Sequence, residues 1–167
     1  VNVNKITHHF SSKKYWIFQT SSASGYYAGK SVKIWPKKHY IILIQMLLEN
    51  DINVFVTGDK SEIEYNNKIT GQFKSNNLLD ITGQYSLNEV IEIIRNSNGL
   101  ICSDSGLMHI ADALNIPTVA LYGPTDYERT RPVSENSVVL RSNRDCLGCL
   151  KKPGWDEQNT FKKCPYN

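Results

Sequence analysis

No run in the chain approaches the ~18 consecutive apolar residues that a membrane-spanning helix needs. The longest apolar-rich stretch, Tyr40 to Leu48, is broken by Gln45. The opening VNVNKITHHF has no apolar h-region, which argues against a signal peptide, and no methionine, so the chain reads as the middle of something longer or as a trimmed piece. Cysteine is scarce: Cys102, Cys146, Cys149 and Cys164 are too few and too unevenly spaced for the disulfide framework of a small secreted domain, and a reducing cytoplasm is the default compartment. Three mechanism-bearing motifs are also missing. Without G-x-G-x-x-G after the first strand a dinucleotide oxidoreductase is disfavoured, and there is neither a Walker A loop nor a G-x-S-x-G elbow. No Ser/His/Asp or Cys/His set is evident. Nineteen Lys and Arg against sixteen Asp and Glu give +3, without the basic stripe of a nucleic-acid binder.

What remains is 167 residues, 40% apolar and 21% charged, the size and composition of one globular domain. Residues 1–13 are polar and read as a linker or frayed segment, 14–141 as the folded domain, and 142–167 as a loop-rich, Cys-bearing tail. KYWIFQT (14–20) reads as a buried strand, followed by the loop SSASGYYAGKS. Pro36 opens a helix at its first turn, carried by Ile41, Ile42, Ile44, Leu47 and Leu48. INVFVTG is the next strand. Ser61 and Glu64 stand at capping-box spacing before a weaker helix, and Ser86 with Glu89 repeats the pattern before a helix whose apolar face is Leu87, Val90, Ile91 and Ile94. Between them NLLDITG gives a short strand. GLICSD is another buried strand, then the helix MHIADALN, the strand TVALYG after Pro117, and SVVLR. Strand–helix alternation with continuous apolar strands predicts an α/β fold, a doubly wound parallel sheet covered on both faces.

In such sheets ligands bind beyond the carboxyl ends of the strands, at a topological switch point. The loop after GLICS carries SDSGLMH. Ser105–Gly106 make a small turn into a helix whose first N–H groups lack internal partners and sit at the positive end of its dipole, a seat for an anion. His109, one turn in, is either a donor beside that anion or a packed core histidine. Asp104 is either an N-cap or, since a carboxylate repels phosphate, a ligand for sugar hydroxyls. Lys33, in KIWP, reaches the same anion as a point charge or is simply solvated. Asp59 and Glu62 of TGDKSE are capping residues by default and hold hydroxyls in the functional reading. Arg129 and Arg131 are solvated charge or steer a diphosphate. His8, His9 and His39 sit in polar surroundings and read as exposed. Cys102 reads as a buried small hydrophobe. Zinc wants four ligands and no histidine follows His109, so Cys146, Cys149 and Cys164 are read as a local disulfide or packed thiols in preference to a zinc site.

Taken together, KIWP, a strand ending VTG, DITGQYSLNEVIEII and ICSDSGLMHIADALNIPTVALYGPTD resemble glycosyltransferase family 9, the bacterial lipopolysaccharide heptosyltransferases. The D-S-G-x-M-H run followed by A-x-x-x-P-T-x-A-L-x-G-P-T is the most specific stretch, and the resemblance covers roughly residues 14–141. It implies a GT-B enzyme of two Rossmann-like halves, with this chain as the C-terminal, donor-binding half. The donor would be a nucleotide diphosphosugar, typically ADP-heptose, bound as substrate without a further cofactor or metal. Lys33 would meet the pyrophosphate and sugar, Asp104 the sugar hydroxyls, and the backbone of Ser105, Gly106 and Leu107 the phosphates, with His109 beside them. Glu62 is preferred over Asp59 as the acidic donor ligand, and Thr20, Ser21 and Ser22 are further contacts. The longer loop before KIWP departs from the family, as does Asp112 where alanine is usual. The resemblance also implies that the general base is an aspartate of the N-terminal half, which this chain lacks, and that the last helix of the C-terminal half is missing from it. The acceptor, lipopolysaccharide core or a related glycolipid, would be held through that N-terminal half, in the cytoplasm and in peripheral contact with the inner membrane. The alternative is a non-catalytic nucleotide-sugar-binding module; a third reading, a zinc ribbon for nucleic acid, is opposed by the modest charge.

Overall fold

The computed structural model describes residues 14–20, 26–27, 30–31, 33–143 and 148. Six apolar segments, β1 (Tyr15–Gln19), β2 (Asn53–Thr57), β3 (Leu78–Asp80), β4 (Gly99–Ser103), β5 (Thr118–Tyr122) and β6 (Ser137–Arg141), pair in parallel in the order β3-β2-β1-β4-β5-β6. Helices α1 (Lys37–Glu49), α2 (Ile63–Thr70), α3 (Leu87–Arg95), α4 (Gly106–Ala113) and α5 (Tyr127–Thr130) connect them. Before α1, Tyr26–Tyr27 and Lys30–Ser31 form a two-residue antiparallel ladder. The order reverses between β1 and β4, which is the switch point.

Continuous apolar strands follow from burial on both faces: every residue of β2 and β4 is buried. On one face Ile17, Phe55, Leu100 and Cys102 meet Ile93 and Ile94 of α3 and Met108 and Ala111 of α4. On the other, Phe18, Val54, Val56 and Ile101 meet Tyr40 and Ile44 of α1 and Ile69 of α2. On the latter face the register sets Val119 beside Val138 and Leu121 beside Leu140. Val138 and Leu140 are exposed there, the only pair of the sheet's large apolar residues so placed among the described residues.

Four local readings are corrected. The first capping box uses Asp59 and Glu62, two residues before the predicted Ser61 and Glu64. With β2 ending at Thr57, extended Asp59 (ψ 178°) is already at the turn, and its carboxylate accepts the Ser61 N–H at 2.7 Å. A short 3-10 turn, Lys60–Glu62, then leads into α2, and Glu64 pairs instead with Lys68 at 2.6 Å. Pro36 precedes α1 as its N-cap (ψ 133°) rather than occupying the first helical position. Helix α4 starts at Gly106, two residues before the predicted MHIADALN, because Ser105 caps it. On α3 the buried residues are Val90, Ile93 and Ile94, while Leu87 stays exposed, since the first turn projects past the strand ends. The Ser86–Glu89 capping box forms as predicted.

Candidate functional site

The ends of β1, β2 and β4 converge on the start of α4. After Ser103 the chain passes through Asp104 to Ser105, whose extended backbone (φ −155°, ψ 166°) ends the strand and begins the helix. The Ser105 hydroxyl accepts the Met108 N–H at 3.4 Å and donates to Oε1 of Gln19, at the end of β1. Capping one amide in this way leaves those of Gly106 and Leu107 without intrahelical acceptors, at the positive end of the dipole. A Cβ built on Gly106 would meet nothing within 4 Å, so the space in front of the first turn is open.

Asp104 is not the N-cap. Its carboxylate accepts from the Lys33 ammonium at 3.1 Å, across 71 residues of sequence, with side chains 18% and 10% exposed. The pair brings the two charged candidates to the same end of the sheet as the α4 amides. An anion placed there would compete with Asp104 for Lys33, and a carboxylate so freed could accept hydrogen bonds from hydroxyl groups.

Beside this seat lies a cavity of about 220 Å³. Tyr85, Leu87, Val90 and Leu107 form its apolar wall, and Gln19, Thr57, Asp59 and Glu62 its polar one. Glu62 is 3% exposed, and its Oε2 accepts the Asp59 N–H at 2.8 Å, so the cap itself fixes the carboxylate. Gly58 permits this packing: a Cβ there would overlap Glu62 Oε2 and lie 3.1 Å from Asn66 Nδ2. Burial, then repulsion from Glu89, raises the Tyr85 phenol above its ordinary value.

A second buried network supports the floor. Fully buried Asn66 accepts from Thr20 Oγ1 and donates to Thr82 Oγ1 at 2.7 Å and to the Thr57 carbonyl at 3.4 Å. One amide thus ties together the loops after β1, β2 and β3. Gly83 follows in the left-handed region (φ 69°), where Lys60 and Ile63 crowd the space a Cβ would fill, and its N–H donates to Gly58 O at 2.9 Å.

Of the residues singled out from sequence, Lys33, Asp104, Ser105, Gly106, Leu107 and Glu62 gather at this end of the sheet. Thr20 is buried and turned to Asn66. Ser21 and Ser22 lie outside the described residues. His109 is exposed, so it is not a core histidine, and it lines a separate groove with Asp112 and Asn115. Asp112 accepts the N–H groups of Val133 and Ser134 at 3.0 and 2.9 Å, fastening α4 to the approach to β6. Arg129 and Arg131 are exposed, with Arg131 5.5 Å over the Tyr127 ring. His39, expected in solvent, is half-buried and stacks on Trp35, ring centroids 5.0 Å apart. Cys102 is buried, and burial, reinforced by Asp104, pushes its thiol well up. Cys146, Cys149 and Cys164 lie outside the described residues, among which no three His, Cys, Asp or Glu side chains group as a metal site. Sequence reasoning passed over Gln19 and Tyr85. A polar residue ending a central apolar strand at the switch point was the available signal for Gln19; Tyr85 had none.

A family model described as glycosyltransferase family 9 (heptosyltransferase) matches residues 2–159. Lipooligosaccharide heptosyltransferase 2 of Haemophilus influenzae is 34% identical over 112 residues, covering 65% of this chain and 32% of that protein. Lipopolysaccharide heptosyltransferase 2 of Escherichia coli K12 is 33% identical over the same length and shares. The chain thus spans about a third of the length of these relatives. Among solved structures, E. coli ADP-heptose lipopolysaccharide heptosyltransferase II superposes with a TM-score of 0.75 at 25% identity, over 96% of this chain and 49% of that one. E. coli heptosyltransferase WaaC with ADP gives 0.68 at 24% identity, over 82% and 42%, a likeness of fold.

Proposed function

The chain belongs to glycosyltransferase family 9, and from that premise we propose that it is the donor-binding half of an enzyme that transfers heptose, or a related sugar, from a nucleotide diphosphosugar. ADP-heptose is the donor and lipopolysaccharide core or a related surface glycan the acceptor. The observation that carries this reading is the joining, at one strand end, of an open helix N-terminus, the Lys33–Asp104 pair and a cavity of about 220 Å³.

The three parts divide the donor chemically. The half-apolar cavity takes the nucleoside, with Glu62 and Asp59 on its polar side for ribose hydroxyls. The Gly106 and Leu107 amides take the diphosphate. Lys33 is drawn from Asp104 to the phosphate oxygens, and Asp104 then accepts from the sugar hydroxyls. As the glycosidic C–O bond breaks, negative charge builds on the leaving diphosphate, and donors already aimed at it stabilise that charge without rearranging. These groups fill the role a divalent cation plays elsewhere, so transfer proceeds without metal. Attack by the acceptor hydroxyl from the face opposite the leaving group inverts the anomeric centre. The base that takes the acceptor's proton belongs to an N-terminal half, at the cytoplasmic face of the inner membrane. Among the described residues no helix is long and apolar enough to cross a membrane.

Thermal-shift titration with ADP-, UDP- and GDP-sugars tests the assignment. The ADP-sugar should raise the melting temperature most, and Lys33→Ala and Asp104→Ala should abolish the shift. Unchanged responses in both variants would place the donor elsewhere.

A further inference from the structure

Gln19 occupies a position that none of these roles uses. It ends β1 at the switch point, is 9% exposed, and lines the cavity. Its Oε1 is held by the Ser105 hydroxyl, the same hydroxyl that caps α4. A primary amide offers an acceptor on one side and two N–H donors on the other. With the acceptor fixed on Ser105, the nitrogen points away from it, and no described residue accepts from that nitrogen. That nitrogen is not sealed from solvent, so on the lining of the cavity it can donate to water or to a ligand. Its place is between the nucleoside cavity and the open amides of α4.

We propose that Gln19 is a donor-binding residue whose amide N–H donates to a phosphate oxygen of the nucleoside diphosphate, in line with the Gly106 and Leu107 amides. Ser105 sets the polarity. By donating to Oε1 it keeps the nitrogen toward the ligand, so the seat presents three N–H donors in a row, two from the backbone and one from a side chain. The inference rests on the donor-binding reading, which it deepens.

Gln19→Glu is the informative change. The new carboxylate can still accept from Ser105, so the capping arrangement has a partner, but an anionic oxygen replaces the N–H opposite the phosphate. Binding of ADP and of adenosine to the full chain is measured by calorimetry or by ligand-observed NMR. The expected result is ADP weakened tenfold or more and adenosine weakened less than twofold, because only ADP places phosphate against position 19. Equal loss of both ligands would mean that Gln19 merely supports the fold, and unchanged ADP binding would mean that it does not touch phosphate; either overturns the proposal while leaving the donor reading intact. Failure of the wild-type chain to bind ADP would overturn the donor reading and this inference with it. Should Gln19→Glu not fold, Gln19→Met decides: it keeps the length and removes the donor, and a three- to tenfold loss confined to ADP supports the proposal, whereas no loss refutes it.

Discussion

Replacing Asn66 with alanine should be among the most damaging single changes away from the apolar core. The amide is fully buried and serves three partners: Thr20 Oγ1, Thr82 Oγ1 at 2.7 Å and the Thr57 carbonyl at 3.4 Å. Its removal leaves three polar groups in a site with no side chain to replace it. An orphaned buried group costs about 1–3 kcal/mol. Taking the low end for each, since the two threonine hydroxyls can rotate, gives a loss of about 3 kcal/mol. With a urea slope of roughly 1.5–2 kcal/mol per molar, that lowers the midpoint by about 1.5–2 M at unchanged slope. Urea unfolding followed by far-UV circular dichroism measures it, with exposed Asn67→Ala on the same helix as control. Asn66→Asp adds a pH test. The acid still accepts from Thr20, but an oxygen now faces the Thr57 carbonyl, and burial favours the neutral form, raising the folded pKa above the ~3.9 of an unfolded aspartate. Stability of this variant relative to wild type should therefore be greatest below pH ~4 and decline as pH rises through the raised pKa. A loss below about 1 kcal/mol for Asn66→Ala, or no pH trend for Asn66→Asp, would refute the view that this amide clamps the three loops.

Burial raises the Cys102 thiol far enough that almost no thiolate exists at pH 8. Iodoacetamide followed by peptide mass spectrometry should leave Cys102 unmodified in the native chain and label it in urea; rapid native labelling would show that β4 is not sealed. The Glu89 carboxyl is held below the usual range by the Ser86 N–H and hydroxyl. A depressed folded pKa contributes stability present above the unfolded value of ~4.3 and lost as pH falls through the folded one. The penalty of Glu89→Gln should accordingly be largest near neutrality and vanish in strong acid. A penalty independent of pH would assign the effect to packing.

The strands and the Ser86–Glu89 cap were legible because their causes are local. A β-branched apolar run buries itself wherever it is placed, and S-x-x-E closes a box within four residues. The first cap shows where local reading stops. Asp59-x-x-Glu62 and Ser61-x-x-Glu64 overlap in register, and either satisfies the pattern. The choice falls to where β2 releases the chain, which is set by its pairing with β1 through Gln19↔Thr57 and with β3 through Val56↔Asp80.

The sequence by itself determined the alternation of elements, the parallel sheet and the family, and it named most members of the proposed anion seat, since each of these is written in short runs and motifs. Only the tertiary structure decided the partnerships. Lys33 meets Asp104 across 71 residues and Ser105 meets Gln19 across 86 because the sheet sets β1 beside β4. Asn66 reaches three strand ends because α2 packs back over them. Thr20 bonds to Asn66 and His109 lines a groove with Asp112, placements that follow from where α2 and α4 pack and that no motif spells out. Residue type and spacing specify what a segment can offer. Which donor faces which acceptor depends on strand order, and that order minimises the free energy of the whole core, not of any one segment.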